Sequence, residues 1–304
     1  MRPTPSSPKV ARSPGCASRR LLVTESPAVA AARSLAELPG IPEQIESARA
    51  ACTGLRWHQA LRRRIPEAAA ESRVRGACAS AELDGAPLSR DIVRDLMRGA
   101  VTWHDDPDPV ERVARGVLAV TAETETVGPL LTRAPRQALA RLHLAAAAGL
   151  VGADQVGRPR RDGEECRELT DLGPPPPAGE LEARLAGVID LLSGLDAAPT
   201  LIVGALVHAE IATVRPFVVG NGAVARALER VVLVTAGLDP TGVAVPEAGH
   251  LAAGPGYVGA LLAYGSGTRA GVTAWLAHCA GAVRAGAAEG ERIADAVLAG
   301  RLSR

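Results

Sequence analysis

Two apolar runs separated by a glycine-containing loop constrain the fold of this chain more than any other feature of its sequence. The first run covers residues 201–214 and the second covers residues 224–237. Each run is long and apolar enough to form a helix inside a protein core. Pro216 disfavours helical geometry at Arg215 and cannot itself continue a helix, so we expect the first helix to end there.

The loop between the two runs contains Gly220, Asn221 and Gly222. Glycine tolerates positive φ and lets another group come close to the backbone. The free N–H groups and the positive dipole end of the following helix form a site that suits an anion. The residues alone favour either a phosphate-binding loop between two core helices or a plain helix–turn–helix corner, and both interpretations stay open at this point.

Composition indicates a helical protein that can bury a sizeable core. The chain has 304 residues, enough for one or two domains, and it is rich in alanine and leucine with few β-branched runs. Its formal net charge is only +1, which gives no field of the strength that binding to nucleic acid or to a membrane surface needs. We therefore expect no nucleic-acid partner and no membrane partner.

The cysteines and the hydropathy pattern predict a cytoplasmic protein. The five cysteines are widely spaced and form no Cys-x-x-Cys pair, so we expect neither a zinc site nor a disulfide framework. Free thiols of this kind are typical of a reducing compartment. No apolar run reaches the length of a membrane span, and the basic N-terminus lacks the apolar core of a signal peptide.

The segment from Arg215 to Arg226 resembles the signature of the Fic (Fido) family, which reads His-Pro-Phe-x-Asp/Glu-Gly-Asn-Gly-Arg-x-x-Arg. In that family the fold is a helical bundle, and the usual reaction transfers AMP from ATP to a hydroxyl group of a protein. Six positions of this chain match the signature: Pro216, Phe217, Gly220, Asn221, Gly222 and Arg226. The resemblance implies an all-α protein, namely the Fic helical bundle with a small β-hairpin flap.

Three positions depart from the signature, and each departure removes a part of the family's chemistry. Arg215 replaces the catalytic histidine, and a guanidinium cannot accept a proton. Val219 replaces the metal-binding carboxylate, so we expect no ligand for Mg²⁺, and Ala223 replaces an arginine that contacts phosphate. The resemblance therefore implies ATP or another nucleotide as the ligand, with no catalytic residue and no metal ligand. The nucleotide- or phosphate-binding residues that it implies are Arg215, Gly220, Asn221, Gly222 and Arg226.

A second short motif lies upstream, at Ser80, Asp84 and Gly85. Its local pattern is that of a helix C-terminus, with Gly85 as the cap and Pro87 just beyond. It also resembles the inhibitory motif of Fic proteins, Ser/Thr-x-x-x-Glu-Gly/Asn, in which the glutamate pairs with the last arginine of the main signature. The resemblance implies that Asp84 takes the place of this glutamate and forms a salt bridge with Arg226.

A polar, proline-rich segment begins at Gly157, Arg158 and Arg160. Fic proteins place a β-hairpin flap after a similar Gly-Arg-x-Arg segment, and that flap holds the target chain by strand addition. The resemblance implies a hairpin in residues 157–172, with a protein target bound along it. The alternative is an ordinary interhelical loop, which the length of the segment makes less favourable.

Two histidines and a tyrosine outside the motifs are expected to have structural rather than catalytic roles. His208 precedes Arg215 by seven residues, about 10 Å along a helix, which is too far for it to replace the missing histidine. We therefore expect His208 to be a buried, hydrogen-bonded residue and His143 to be a packed or surface histidine. Tyr257 is predicted as a packing residue, with contact to a nucleotide base as the alternative.

The motifs divide the chain into four parts. We predict a disordered arm at 1–28, an N-terminal helical region with the inhibitory-type motif at 29–130, a Fido domain at 131–285, and the end of the C-terminal helix with a tail at 286–304. Three functions are compatible with these parts. The first is a nucleotide- or phosphate-binding protein that has lost AMP transfer, the second is an atypical transferase acting on protein hydroxyls through Arg215, and the third is a protein-interaction module with a vestigial pocket.

Overall fold

The computed structural model describes residues 25–168 and 170–302, and within them it is built from thirteen α-helices with one short 3-10 turn at Gln59–Arg62. The only β-type pairing among these residues is an isolated bridge between Ala148 and Val151. The predicted all-α class is therefore confirmed. The helices are α1 (Pro27–Ala36), α2 (Ile41–Arg56), α3 (Ile65–Leu83), α4 (Arg90–Met97), α5 (Pro109–Val127), α6 (Leu130–Arg133), α7 (Pro135–Ala147), α8 (Ala178–Ser193), α9 (Thr200–Val214), α10 (Asn221–Thr235), α11 (Pro246–Ala252), α12 (Pro255–Gly265) and α13 (Arg269–Leu298).

The two apolar runs of the sequence form α9 and α10 at the centre of the bundle. Twelve of the fifteen residues of α9 are buried, because apolar side chains occupy every side of this helix. The two helices pack extensively on each other, and α5, α7, α8, α12 and α13 surround them. The indole Nε1 of Trp275 in α13 donates a hydrogen bond to the Ala205 carbonyl at 2.8 Å, which fixes the long last helix against α9.

Glycines allow several of these helices to approach unusually closely. A Cβ at Gly116 of α5 would lie 2.1 Å from the carbonyl oxygen of Ala146 in α7. The same α7 residue packs against the motif loop, because its Cβ would be 3.4 Å from a Cβ at Gly220. The α5–α7 contact therefore sets the position of the loop that joins α9 to α10.

The segment predicted to form a flap does not form a hairpin. In the described residues between α7 and α8, no strand is assigned beyond the isolated bridge. Instead, the Arg160 N–H donates to the Pro216 carbonyl and the Arg167 N–H donates to the Val218 carbonyl, both at 2.7 Å. The hairpin prediction is wrong for these residues because the segment uses its backbone donors on the motif loop rather than on itself.

The positions of the first and last helices can be compared with the predicted domain boundaries. Residues 1–24 of the predicted arm lie outside the described residues, and α1 already begins at Pro27. At the other end, α13 passes without a break through residue 285, where a boundary was predicted. None of the helices that the structure describes combines the length and the apolar character that crossing a bilayer requires.

Candidate functional site

The backbone of the motif loop turns sharply between α9 and α10. As predicted from Pro216, α9 ends at Val214, and Arg215 adopts a left-handed conformation with φ of 49°. Among the described residues Arg215 is the only non-glycine residue with positive φ, a conformation that costs a bulky side chain free energy. Gly220, with φ of 81°, then leads the chain into α10.

Asn221 holds this loop in shape from within. Its side-chain Oδ1 accepts a hydrogen bond from the Phe217 N–H at 2.8 Å, and its Nδ2 donates to the Phe217 carbonyl at 2.9 Å. The residue is fully buried, so these bonds are protected from water. The Asn in the sequence motif thus has a structural role in addition to supplying the first backbone N–H of α10.

An acidic residue that the sequence analysis did not single out occupies the N-terminus of α10. The Oε1 atom of Glu168 accepts hydrogen bonds from the Asn221 N–H at 2.7 Å and from Asn221 Nδ2 at 2.6 Å. Burial raises the pKa of the Glu168 carboxyl, an effect that the two Asn221 donors oppose. A single glutamate in a polar segment carries no sequence signal that points to this contact.

Arg215 is a buried cation without an anionic partner. Its side chain donates through Nη2 to the Gly173 carbonyl at 2.5 Å, while its buried Nε has no hydrogen-bond partner among the described residues. Only 6% of the residue is exposed, and no carboxylate of the described residues lies within ion-pair distance of it. A buried charge is costly unless it is paired, and this guanidinium has hydrogen-bonding capacity left for a further partner.

The salt bridge predicted between Asp84 and Arg226 is confirmed. Asp84 Oδ2 lies 2.7 Å from Nη2 of Arg226, and the guanidinium also donates to the side-chain oxygen of Ser80 at 2.8 Å and to the Ser80 carbonyl at 3.2 Å. Burial lowers the pKa of Arg226, but Asp84 more than offsets this and holds that pKa above its ordinary value. A Cβ at Gly222 would lie 3.2 Å from both partners, so the glycine makes room for the pair at the start of α10.

Two cavities adjoin these groups. The larger, of about 410 Å³, lies between the end of α3, the start of α5 and the motif loop, and the departing residues Val219 and Ala223 line it together with Asp84 and Glu168. The smaller is a slot of about 20 Å³, room for roughly one water molecule. Four of the five predicted phosphate-binding residues line this slot, namely Arg215, Asn221, Gly222 and Arg226. The fifth, Gly220, lines the larger cavity.

A second polar cluster lies behind the slot, at the centre of the bundle. Oε2 of Glu229 is 2.6 Å from Nδ1 of His208 and 2.8 Å from Nε2 of His250, and all three residues are buried. His208 Nε2 is 2.8 Å from the Tyr257 hydroxyl, and His250 Nδ1 is 3.0 Å from Nε2 of His278. His208 is thus the buried, hydrogen-bonded residue that we expected. Two imidazoles and a carboxylate are also ligand types for a divalent metal, but here each close contact has the length of a hydrogen bond.

The electrostatics of this cluster favour a neutral His208. Burial lowers the pKa of His208 to about 4, against the opposing effect of Glu229. Burial raises the pKa of the Glu229 carboxyl, but His250 and His208 more than offset this and hold it below its ordinary value. His143 lies elsewhere, stacked on Phe217 of the motif loop with ring centroids 3.9 Å apart.

Comparison with known proteins finds similarity to one family model and to several solved structures. Residues 134–233 match the model of the Fic/DOC family. No curated protein sequence matches the chain. Among solved structures, the chain is similar to a Fic family protein from Desulfovibrio desulfuricans G20, with 19% sequence identity and a TM-score of 0.65 over 88% of this chain and 75% of that one.

Two further solved structures have a similar fold. Fic-1 (residues 134–508) from C. elegans is 17% identical, with a TM-score of 0.62 over 85% of this chain and 73% of that one. A Fic domain containing signaling protein from Bacteroides thetaiotaomicron VPI-5482 is 14% identical, with a TM-score of 0.58 over 83% of this chain and 98% of that one. At these identities the likeness establishes the fold. The chain therefore has the fold of Fic proteins, and residues 134–233 within it match the Fic/DOC family model.

Proposed function

We propose that this Fic-fold protein binds the phosphate groups of a nucleotide at the motif loop and has lost standard AMP transfer. The observation that carries the proposal is the buried Arg215 guanidinium, which has no carboxylate partner among the described residues and lines the same slot as the first turn of α10. A guanidinium beside a helix N-terminus is a combination that suits phosphate. A vestigial pocket would have no reason to retain a buried, unpaired charge at this position.

Loss of transfer follows from the missing base. AMP transfer needs a group near the α-phosphate that takes a proton from the attacking hydroxyl, and Arg215 cannot do so. His208 cannot substitute, because both of its ring nitrogens are already engaged, by Glu229 and by Tyr257. His143 cannot substitute either, because it is fully buried and stacked behind Phe217.

The residues around the slot also do not fit the Mg²⁺ ion that the family uses. Val219 offers no oxygen ligand. The two carboxylates that line the larger cavity are both engaged, Asp84 by Arg226 and Glu168 by Asn221. We therefore assign charge neutralisation at the phosphates to Arg215 and Arg226 and derive no step through a metal.

Calorimetric titration tests this function directly. Purified protein is titrated with ATP, ADP and GDP, with and without Mg²⁺, alongside Arg215→Ala and the matched control Arg161→Ala. Arg161 is an exposed arginine of the neighbouring segment, so its removal makes the same charge change away from the slot. We expect saturable nucleotide binding that is insensitive to Mg²⁺, is weakened at least about tenfold by Arg215→Ala, and is unchanged by Arg161→Ala.

The same protein is incubated with α-labelled ATP and a cell lysate, where we expect no transfer of label. If no nucleotide binds, the nucleotide-binding function is wrong and the protein-interaction module is favoured. If the unaltered protein labels a target and Arg215→Ala abolishes the labelling, the atypical transferase is favoured instead.

A further inference from the structure

We infer that Glu168 is an intramolecular competitor of phosphate, because its carboxylate occupies the N-terminus of α10 where the proposed ligand would bind. The inference rests on the proposed function and goes further, since it names the group that controls access to the site. Phosphate-type anions would bind at this position only after the Glu168 carboxylate has moved out of it.

The contacts of Glu168 are those of a bound anion. A single carboxylate oxygen accepts two hydrogen bonds, at 2.7 Å from the Asn221 N–H and at 2.6 Å from Asn221 Nδ2. Free N–H groups at the first turn of a helix are the usual donors to phosphate oxygens, and α10 is a full helix of 15 residues. The carboxylate and a phosphate oxygen would use the same two donors, so only one of them can be bound at a time.

Arg215 provides independent support for an anion in this slot. The guanidinium lines the slot together with Glu168 and Asn221, yet Glu168 does not reach it within ion-pair distance. The buried Nε of Arg215 has no hydrogen-bond partner in the part of the chain that the structure describes. Glu168 thus occupies the two Asn221 donors at the start of α10 but leaves the arginine uncompensated, whereas a larger tetrahedral anion with several oxygens can contact both.

The segment that carries Glu168 is attached in a way that permits its release. Residues 159–177 contain no helix or strand in their described part. The attachment to the motif loop includes two backbone hydrogen bonds, from Arg160 to Pro216 and from Arg167 to Val218. A segment with few regular hydrogen bonds can open locally at a small fraction of the cost of unfolding.

Asp84 completes the obstruction from the other side. It neutralises Arg226 at 2.7 Å, while Glu168 covers Asn221, and the slot that Arg226 and Asn221 line has a volume of only about 20 Å³. Two carboxylates from separate parts of the chain therefore engage two of the groups that we expect phosphate to use. Removing Glu168 alone should free the α10 donors and leave the Asp84 pair in place.

Inorganic pyrophosphate is the probe, because it tests the anion site without a nucleoside. The full chain is compared with Glu168→Ala, with Glu168→Gln, and with the control Glu165→Ala, which removes an exposed carboxylate of the same segment. Binding is followed by calorimetry and by the backbone amide NMR signals of Asn221 and Gly222, and thermal unfolding verifies that each variant is folded.

We expect Glu168→Ala to tighten pyrophosphate binding at least about tenfold, because a charge-assisted competitor is removed. Glu168→Gln keeps the size and an acceptor oxygen but loses the charge, so it should have an intermediate effect, and Glu165→Ala should match the unaltered chain. The Asn221 amide signal should shift in both Glu168 variants before any anion is added.

The outcomes separate this inference from the proposed function. Equal pyrophosphate affinity in the unaltered chain and in Glu168→Ala, or no binding in either, would contradict the inference that Glu168 competes with phosphate. If nucleotides bind the unaltered chain and Glu168→Ala equally well, the competitor is wrong and the nucleotide function stands. If Glu168→Ala gains pyrophosphate binding but no variant binds a nucleotide, the competitor stands and the nucleotide function is wrong.

Discussion

The Asp84 carboxylate lies 2.7 Å from Nη2 of Arg226, and it joins the end of α3 to the first turns of α10. Only 3% of the arginine side chain is exposed, against 18% for the aspartate. The pair is a structural contact, and under the proposed function it also competes with phosphate for Arg226. The two roles predict opposite effects when Asp84 is removed.

Asp84→Gly should lower the stability of the protein and raise its affinity for nucleotide. Leaving the buried Arg226 without a carboxylate should cost about 3 kcal/mol of unfolding free energy, the low end for broken buried pairs because Asp84 retains some solvent contact. The freed guanidinium should then bind phosphate more tightly, whereas Arg226→Ala should weaken binding. Urea unfolding measures the first effect and calorimetry with ATP measures the second.

Asp91→Ala is the control for this pair. Asp91 pairs with Arg94 on the surface of α4, with 83% of its side chain exposed, so its removal should change stability by less than about 1 kcal/mol and leave nucleotide affinity unchanged. A loss of stability in Asp84→Gly without any gain in nucleotide affinity would contradict the inhibitory role and leave the pair purely structural.

Much of this arrangement could be predicted because it depends on short, local signals. Pro216 fixes the end of α9, Gly220 fixes the entry to α10, and Gly85 follows the end of α3. The Asp84–Arg226 pair was predicted from the resemblance to two family motifs in which a glutamate and the last arginine pair, and the structure forms it.

The contacts of Glu168 could not be predicted in the same way. They depend on backbone hydrogen bonds between residues about 50 positions apart, from Arg160 to Pro216 and from Arg167 to Val218. Such pairings leave no periodic pattern in the sequence, and the hairpin expected in this segment would have used the same donors differently. The convergence of His208 and His250 on Glu229 is hidden for the same reason, because the three residues come from three helices.

The buried histidines should make the protein less stable in mild acid. Burial lowers the pKa of His143, His208 and His278 to about 4, from an ordinary value of 6.5. The unfolded chain therefore binds protons below pH 6.5 that the folded chain does not bind until about pH 4. Stability is fully present above pH 6.5 and should fall as the pH decreases towards 4, by up to about 1.4 kcal/mol per pH unit for each histidine.

Urea unfolding at several pH values between 7.5 and 4.5 measures this loss. NMR titration of the imidazole signals then attributes the loss of stability to individual histidines. His143 and His208 should remain neutral at pH 5.5, while the exposed His104 has become charged. Glu111 beside it raises the pKa of His104, so that residue provides an internal contrast. An unfolding free energy that stays constant from pH 7.5 to 5 would contradict neutral buried imidazoles.

Gly116→Ala should disturb the motif loop from a distance. The new Cβ would lie 2.1 Å from the Ala146 carbonyl oxygen, so α5 and α7 must separate, at a cost of about 3 kcal/mol. Because Ala146 also supports Gly220, we expect weaker nucleotide binding as well as a lower melting temperature.

Gly187→Ala in α8 is the matched control: nothing lies within 4 Å of its Cβ, and alanine should stabilise that helix by about 1 kcal/mol. Equal melting temperatures for the two variants would argue against the close α5–α7 contact.

Restoring the three departed residues of the signature together should restore AMP transfer. Arg215→His supplies the base, and histidine is among the residues that tolerate the left-handed conformation found there. Val219→Asp and Ala223→Arg place a metal ligand and a phosphate donor on the wall of the cavity of about 410 Å³, where longer side chains have room. With Mg²⁺ and α-labelled ATP, the triple variant should label itself or a lysate protein, and Val219→Asp alone should not, because the base is still missing.

Adding Asp84→Gly to the triple variant should increase the labelling by releasing Arg226. Labelling by Val219→Asp alone would show that a base other than residue 215 already operates in this chain, and a folded triple variant that binds ATP without transfer would show that the loss of activity extends beyond the three positions.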